Sequence, residues 1–310
     1  MTEFPVRVSA RRDEAEGVFS LELSDAAGGE LPGWTPGAHI DVAVGDAGVR
    51  QYSLCGAPAE SSRWRIAVLH EPAGRGGSQH LHGTALAGTE LRVSKPRNNF
   101  ELVARESYVF LAGGIGITPI MPMVAAAEAA GARWSLYYGG RTRAHMAFAD
   151  DLARRYPAAQ LLPQDEHGLL PLADILAAHN DAAVYCCGPE PLLAAVEAEG
   201  VRQEMPVHVE RFVPRPMEFA ANGSFEVRLA SSGRTFRVGA KQSIADVLER
   251  GGISIVTSCR EGTCGTCETA VLEGDIDHRD SLLTADEQAR GDTMMLCVSR
   301  AKSDVLVLDL

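Results

Sequence analysis

The chain reads as a multidomain protein in three consecutive parts: a small antiparallel β unit, an α/β unit built on a parallel sheet, and a second small β unit. Three textures predict this. The first hundred residues alternate short β-like runs with turn residues. From about Tyr108, apolar strand-like runs end in tight glycine turns that lead into helical stretches. After Phe212 the β texture returns.

Each part has its own elements. HIDVAV, RQYSL, WRIAVLH and LRVSKP are spaced as strands of a barrel or sandwich. In the middle part YVFLAGG runs into ITPIMPMVAAAEAAG, WSLYYGG into a polar helix, and AAVYCCG into PEPLLAAVEAEG. Strand, glycine turn and helix in repetition place helices against a parallel sheet. VPRPMEFAANG, with its Pro, Ala and Gly, reads as a linker. SFEVRLA and RTFRVGA then give strands, followed by one short helix, SIADVLER. The expected boundaries are 1–104 and 105–213 for the first two domains, 214–223 for the linker and 224–310 for the last domain.

Composition narrows the function. The chain has 310 residues, 45% of them apolar and 23% charged, enough for two or three ordinary soluble domains. A formal net charge of −12 repels phosphate backbones, so nucleic acid is not an expected partner. No apolar run has membrane-spanning length, and MTEFPVRVSARRDEAEG lacks a signal-peptide pattern, which makes the cytoplasm the expected location. Seven cysteines, an odd number unevenly placed, point to a metal or cluster site rather than a disulfide framework.

SCREGTCGTC carries the clearest chemistry. Cys259-x4-Cys264-x2-Cys267, with Cys297 after 29 further residues, is the plant-type [2Fe–2S] spacing. Two irons sharing two sulfides need two thiolates each, so one loop has to wrap the cluster closely enough to supply three. Gly262 and Gly265 permit that curvature, and the loop's N–H groups are free to donate to sulfur. The competing reading is structural zinc, since Cys264-x2-Cys267 alone is a zinc-like pair. A tetrahedral site normally brings two such pairs, whereas Cys259 and Cys297 lie far apart. Cys55 and Cys186 read as buried small hydrophobes.

Two glycine corners follow. LAGGIGITPI puts Gly113, Gly114 and Gly116 after an apolar strand, with Thr118 as the expected helix cap and Pro119 as the first helical residue. YCCGPEPLL repeats the design with Cys187, Gly188 and Pro189. Alone, either turn could serve only to pack a helix near a strand. Two of them at strand ends of one open sheet define a crevice of the kind that holds dinucleotides. GGIGIT departs from the G-x-G-x-x-G fingerprint, which removes that particular subfamily. Arg141 and Arg143, after WSLYYGG, stand where an adenosine ribose or its phosphate would lie, or else on a solvated loop. In the first part, RQYSLCG offers a cation, an aromatic and a hydroxyl to a flat heterocycle, and GRGGS offers backbone N–H groups to a phosphate. RQYSL is equally readable as an ordinary barrel strand.

Taken in order, RQYSL, GRGGS, GGIGITP, YCCGPE and CREGTCGTC resemble the phthalate dioxygenase reductase and vanillate demethylase reductase family, over nearly the whole chain. The resemblance implies a flavin-binding antiparallel barrel, an NAD-binding domain like that of ferredoxin reductases and a C-terminal β-grasp ferredoxin domain. It implies that Arg50, Tyr52, Ser53 and Leu54 line the flavin ring and that Gly76, Gly77 and Ser78 hold its phosphate. Thr118 and Pro119 would lie beneath the nicotinamide–flavin junction, and Gly113 and Gly114 would open the nucleotide crevice, with Arg141 on the adenosine side. Cys187, Gly188 and Pro189 would flank the nicotinamide, and Phe212 would close the flavin side. His208 reads as a packed or solvent-facing histidine.

A C-terminal ferredoxin domain and a short phosphate loop favour FMN over FAD. The implied activity is that of an NADH-dependent reductase component of a Rieske-type oxygenase, a monomer with no side chain in strong acid or base catalysis. Cys259, Cys264, Cys267 and Cys297 would hold the cluster, and a separate oxygenase protein would accept the electrons. A reductase serving a cytochrome P450, or a cluster-bearing or zinc-bearing sensor on the same scaffold, are the competing readings.

Overall fold

The structure is a computed structural model that describes residues 3–217, 219 and 222–310. Glu218, Ala220 and Ala221 of the expected linker lie outside the described residues. Contacts divide the chain into two units, Met1–Glu210 and Arg211–Leu310.

The first unit opens with a six-stranded antiparallel sheet. In space its strands run Val49–Ser53, His39–Ala43, Glu90–Ser94, Glu3–Ala15, Val18–Asp25 and Trp64–Leu69. Alternation puts Val6, Val8, Leu21, Leu23, Ile40, Val42, Ile66 and Val93 on one face, all with no solvent exposure. The helix Gly77–Thr84 adds Leu81 to that core. Glu3–Ala15 and Val18–Asp25, a hairpin absent from the sequence reading, form the largest strand pair of this sheet.

The same unit continues with five parallel strands in the spatial order Val207–Glu210, Ala183–Cys187, Ser107–Gly113, Arg133–Gly140, Gln160–Pro163. Ser107–Gly113 and Ala183–Cys187 are adjacent although two strands, Arg133–Gly140 and Gln160–Pro163, separate them in sequence, so the connection reverses direction between them. This is the switch point at which α/β sheets open a crevice. Ser107–Gly113 is buried along its whole length, as a central parallel strand should be.

The corners after these two strands interlock. A Cβ on Gly116 would stand 2.2 Å from the Cys187 carbonyl oxygen, and one on Gly113 would stand 2.7 Å from Pro189 Cδ. One expectation needs correcting here. A 3₁₀ turn, Gly114–Gly116, precedes the helix Ile117–Ala129, so Thr118 is not the cap and Pro119 is not the first helical residue. The Thr118 hydroxyl donates instead to the Ile115 carbonyl at 2.9 Å, closing the turn from inside. Gly114, at φ +53, supplies the left-handed step that lets the chain double back.

The second unit is a mixed sheet ordered Thr235–Val238, Phe225–Leu229, Val305–Leu308, Glu268–Glu273, Thr293–Met295. Phe225–Leu229 and Val305–Leu308 are parallel, and the helix Ile244–Arg250 lies against Thr235–Val238, the arrangement of a β-grasp. Ser243 caps that helix through Asp246 N. A second helix, Ala285–Arg290, was not foreseen; Thr284 and Glu287 close a capping box at its start.

Gly116→Ala is expected to destabilise the first unit by about 1–3 kcal/mol or more, because both the inserted methyl and the opposing carbonyl belong to packed corners. Urea denaturation of the variant against the parent protein checks this.

Candidate functional site

The cluster loop is built from its backbone upward. Gly262 at φ +75 and Gly265 at φ +72 turn the chain twice in the left-handed region, and Arg260 does so once at φ +56. Arg260 is held there by carboxylates of the capped helix, at 2.8 Å from Asp246 Oδ1 and 2.8 Å from Glu249 Oε1. The curled loop buries Cys259, Cys264 and Cys267, and Cys297 approaches half-buried from the turn after Thr293–Met295. Glu261 N–H donates to Cys259 Sγ at 3.3 Å, and the Thr266 hydroxyl lies 3.1 Å from Cys264 Sγ.

The four sulfurs meet in pairs. Hydrogen bonds with Cys264 and Cys297 hold the Cys259 thiol far below its ordinary range, and a bond with Cys297 lowers Cys267. Cys264, bonded to Cys259, is pushed up, as is Cys297, bonded to Cys259 and Cys267. The contacts run 264–259–297–267, an open chain of pairs. Among the described residues no three or more His, Cys, Asp or Glu side chains converge as ligands of one ion. Two thiolates for each of two irons fit this arrangement, with the Glu261 N–H and Thr266 hydroxyl as donors to sulfur.

In the first unit, a basic and glycine-lined seat lies at the edge of the antiparallel sheet. The Arg50 guanidinium is fixed by the carbonyls of Ala47 at 2.7 Å, Val49 at 2.8 Å and Arg75 at 2.8 Å. Gly77 opens a helix directly against it; a Cβ there would stand 2.5 Å from Arg50 Cγ. Gly76, at φ +81, makes the bend into that helix. A fixed guanidinium beside a helix N-terminus suits a phosphate.

At the switch point three polar groups from two sheets meet: Ser53, Cys187 and Glu210. Burial pushes the Glu210 carboxyl up to about 8, with the Ser53 hydroxyl drawing it back. Burial raises the Cys187 thiol well above its ordinary value, and the neighbouring Glu210 adds to the rise. Glu210 as a residue is partly exposed, yet its Oε2 and the Ser53 Oγ are both shielded from solvent without a close hydrogen-bond partner. Buried polar atoms left open in this way fit a ligand that brings its own donors and acceptors.

Residues 227–302 match the family model of the 2Fe-2S iron-sulfur cluster binding domain. The chain is 43% identical over 314 residues to a vanillate O-demethylase oxidoreductase of Pseudomonas putida, covering 98% of each chain. It superposes on the structure of phthalate dioxygenase reductase with TM-score 0.71 and 36% identity, covering 99% of this chain and 98% of that one. The chain belongs to the phthalate dioxygenase reductase and vanillate O-demethylase oxidoreductase family. It also superposes on an intact type IV self-sufficient cytochrome P450 monooxygenase with TM-score 0.91 and 40% identity, where it spans 99% of itself and 41% of that protein. As a member of the oxygenase-reductase family it is an oxidoreductase, with a ferredoxin-type C-terminal domain.

Not every residue named from the sequence lies as expected. Tyr52 is half-buried against the barrel core, and burial, offset by Arg50, pushes its hydroxyl up to about 12. The Leu54 side chain is wholly in the core and its N–H is taken by the Ala38 carbonyl at 2.8 Å, so it presents neither to a ligand. The Ser78 hydroxyl accepts from Glu71 N at 3.0 Å, which ties it to its own loop. Gly188 packs on Gly113, and Cys187 sits fully buried behind that contact. Arg141 is exposed, and Arg143 pairs with Asp150 at 2.9 Å. Phe212 is exposed near the start of the second unit. His208 stacks on Tyr185 at 4.6 Å, a packed histidine. Cys55 and Cys186 are buried. Glu210 is the residue that sequence reasoning missed; its signal was a lone carboxylate at the end of the strand VHVE.

The raised Glu210 value fixes a pH dependence. With the folded value near 8 and the ordinary value 4.5, the native state holds a proton that the unfolded chain has already lost. Stability therefore falls as pH rises from about 4.5 to about 8, and levels off above that. Chemical denaturation from pH 5 to 9 should show a decline on the order of 3 kcal/mol that Glu210→Gln flattens.

Proposed function

We propose that this chain is the NADH-dependent reductase component of a two-component Rieske-type oxygenase. FMN would occupy the barrel, and NADH would enter the crevice between the glycine corners. Electrons would leave through a [2Fe–2S] cluster on Cys259, Cys264, Cys267 and Cys297 to a separate terminal oxygenase. A flavin accepts a hydride's two electrons together and releases them singly, which is what joining a nicotinamide crevice to a one-electron centre requires. The fixed Arg50 guanidinium beside the helix start at Gly77 suits a phosphate, which supports FMN. The division into domains 1–104, 105–213 and 224–310 around a linker at 214–223 belongs to the same proposal.

The observation that carries the reading is the meeting of Ser53, Cys187 and Glu210. Open polar atoms from the antiparallel and the parallel sheet come together there, which supports a flavin ring and a nicotinamide meeting beside them. On this reading the chain's own residues position and shield; Arg50 and Gly77 fix the phosphate, and the Gly116–Cys187 contact holds the crevice at one width. A second reading, service to a cytochrome P450, is favoured by the close superposition on the self-sufficient P450. Assay of purified partners of both classes separates the two: electron delivery only to a P450 would replace the Rieske reading.

Cys264→Ser tests the order of carriers. NADH should still bleach the flavin band, while reduction of one-electron acceptors such as cytochrome c should fall at least tenfold. Unchanged cytochrome c reduction would place the exit elsewhere. With a net charge of −12, delivery to a locally basic oxygenase is expected to slow as ionic strength rises from about 0.01 to 0.15 M. Stopped-flow rates that ignore salt would remove electrostatic steering from the account.

A further inference from the structure

A loop of the parallel sheet is fastened to the antiparallel sheet by a contact that the proposed electron path does not use. Strand Arg133–Gly140 runs parallel to Ser107–Gly113 with Gly139 opposite Gly113, so the loop 141–148 leaves the sheet beside the first glycine corner. The loop ends at Phe148, whose φ of +61 lies in the left-handed region. A bulky side chain is costly there, whereas glycine would adopt it freely. The chain nevertheless carries a phenylalanine at this point, 3% exposed.

The ring is covered by Arg65, from strand Trp64–Leu69 of the antiparallel sheet. The Arg65 guanidinium carbon stands 5.0 Å from the centre of the Phe148 ring. Its Nη2 donates to the Cys55 carbonyl at 3.3 Å, while Nε is shielded from solvent with no hydrogen-bond partner. A guanidinium that leaves a shielded donor unused is placed for its flat face as much as for its hydrogen bonds. At the other end, the Arg65 carbonyl accepts from Cys55 N at 2.8 Å and from Cys55 Sγ at 3.4 Å. Cys55 lies two residues past Ser53, which the antiparallel sheet contributes to the polar meeting at the switch point. Arg65 thus grips the segment after Ser53 with its backbone and the crevice loop with its side chain.

A second tie joins the same partners. Glu16, in the turn between Glu3–Ala15 and Val18–Asp25, donates its N–H to the Ala144 carbonyl at 2.8 Å, and its carboxylate stands 3.5 Å from His145 Nε2. Cys55, Ala67 and Phe148 share one buried cluster with Ile117 and Ile120 of the helix after the corner. Packing alone would be served by an apolar side chain in an unstrained conformation. The left-handed Phe148 and the unused Arg65 donor are what packing leaves unexplained.

We propose that Arg65 and Phe148 are positioning residues for hydride transfer from nicotinamide to flavin. They hold the loop 141–148 at a fixed distance from the segment after Ser53, so that a nucleotide lying along the loop meets the flavin in line. Neither residue exchanges a proton or an electron; the hydride carries both electrons across, leaving oxidised nicotinamide and reduced flavin. The proposal rests on the nicotinamide–flavin reading above.

The test is anaerobic stopped-flow reduction of the intact protein by NADH, for the parent, Arg65→Met, Phe148→Leu and the double variant, all under conditions where urea denaturation shows them folded. The limiting rate of flavin bleaching is expected to fall by about tenfold to a hundredfold in each single variant, because alignment is lost. The NADH concentration giving half that rate should stay within about twofold of the parent, since the residues touch no part of the nucleotide. The double variant should lose no more than the worse single variant, because the two side chains act as one contact. Limiting rates equal to the parent's, or a half-saturating concentration that shifts as far as the rate, overturn the proposal. If Phe148→Leu does not fold, Arg65→Met, at a partly exposed position, decides it. A parent protein that holds no flavin, or whose flavin NADH does not bleach, would sink the nicotinamide–flavin reading instead.

Discussion

Gly116 stands so near the Cys187 carbonyl that no side chain of any size fits between them. The contact joins the turn after one central strand to the turn after its neighbour at the point where the sheet reverses its winding. Gly113 lies against Pro189 and Gly188 in the same way, so the corners are locked by backbone at two places. A crevice held by backbone has little freedom to change width, which suits a site whose work is alignment rather than proton transfer.

From this contact the polar groups follow. Cys187 is the buried last residue of its strand, and Glu210 ends the adjacent one, in register with it. Ser53 arrives from the antiparallel sheet as the last residue of Val49–Ser53. A carboxyl displaced upward by burial is a frequent mark of a functional site. In the second unit the same logic operates through curvature. Left-handed turns at Gly262 and Gly265 fold the loop inward until its sulfurs touch, and Arg260 is held in place by two carboxylates.

What the sequence makes legible is what depends on neighbours in sequence. Three cluster cysteines fall within nine residues, and each glycine corner occupies one short turn, so their spacing alone betrays them. The hairpin Glu3–Ala15 with Val18–Asp25 escaped because its register shifts between Val8 and Ala10 and again between Asp13 and Ala15, breaking the two-residue period. Ala285–Arg290 escaped because it buries no residue and so shows no apolar stripe; its capping box was the available signal. Thr118 stands two residues past the actual cap, Gly116, because the 3₁₀ step before the helix leaves no side-chain cap to read. Glu210 was invisible for a different reason. Its role arises from Ser53 and Cys187, which are remote in the chain and meet it only after both sheets have formed.

The account stands on an electron path from nicotinamide through a flavin to a [2Fe–2S] cluster. The most direct measurement is an anaerobic titration of the purified protein with NADH, followed by visible spectra and low-temperature EPR. The account predicts bleaching of a flavin band together with a rhombic signal from the reduced cluster, with NADH more effective than NADPH. A colourless, zinc-containing protein, or a flavin that reduces while no cluster signal develops, would contradict it.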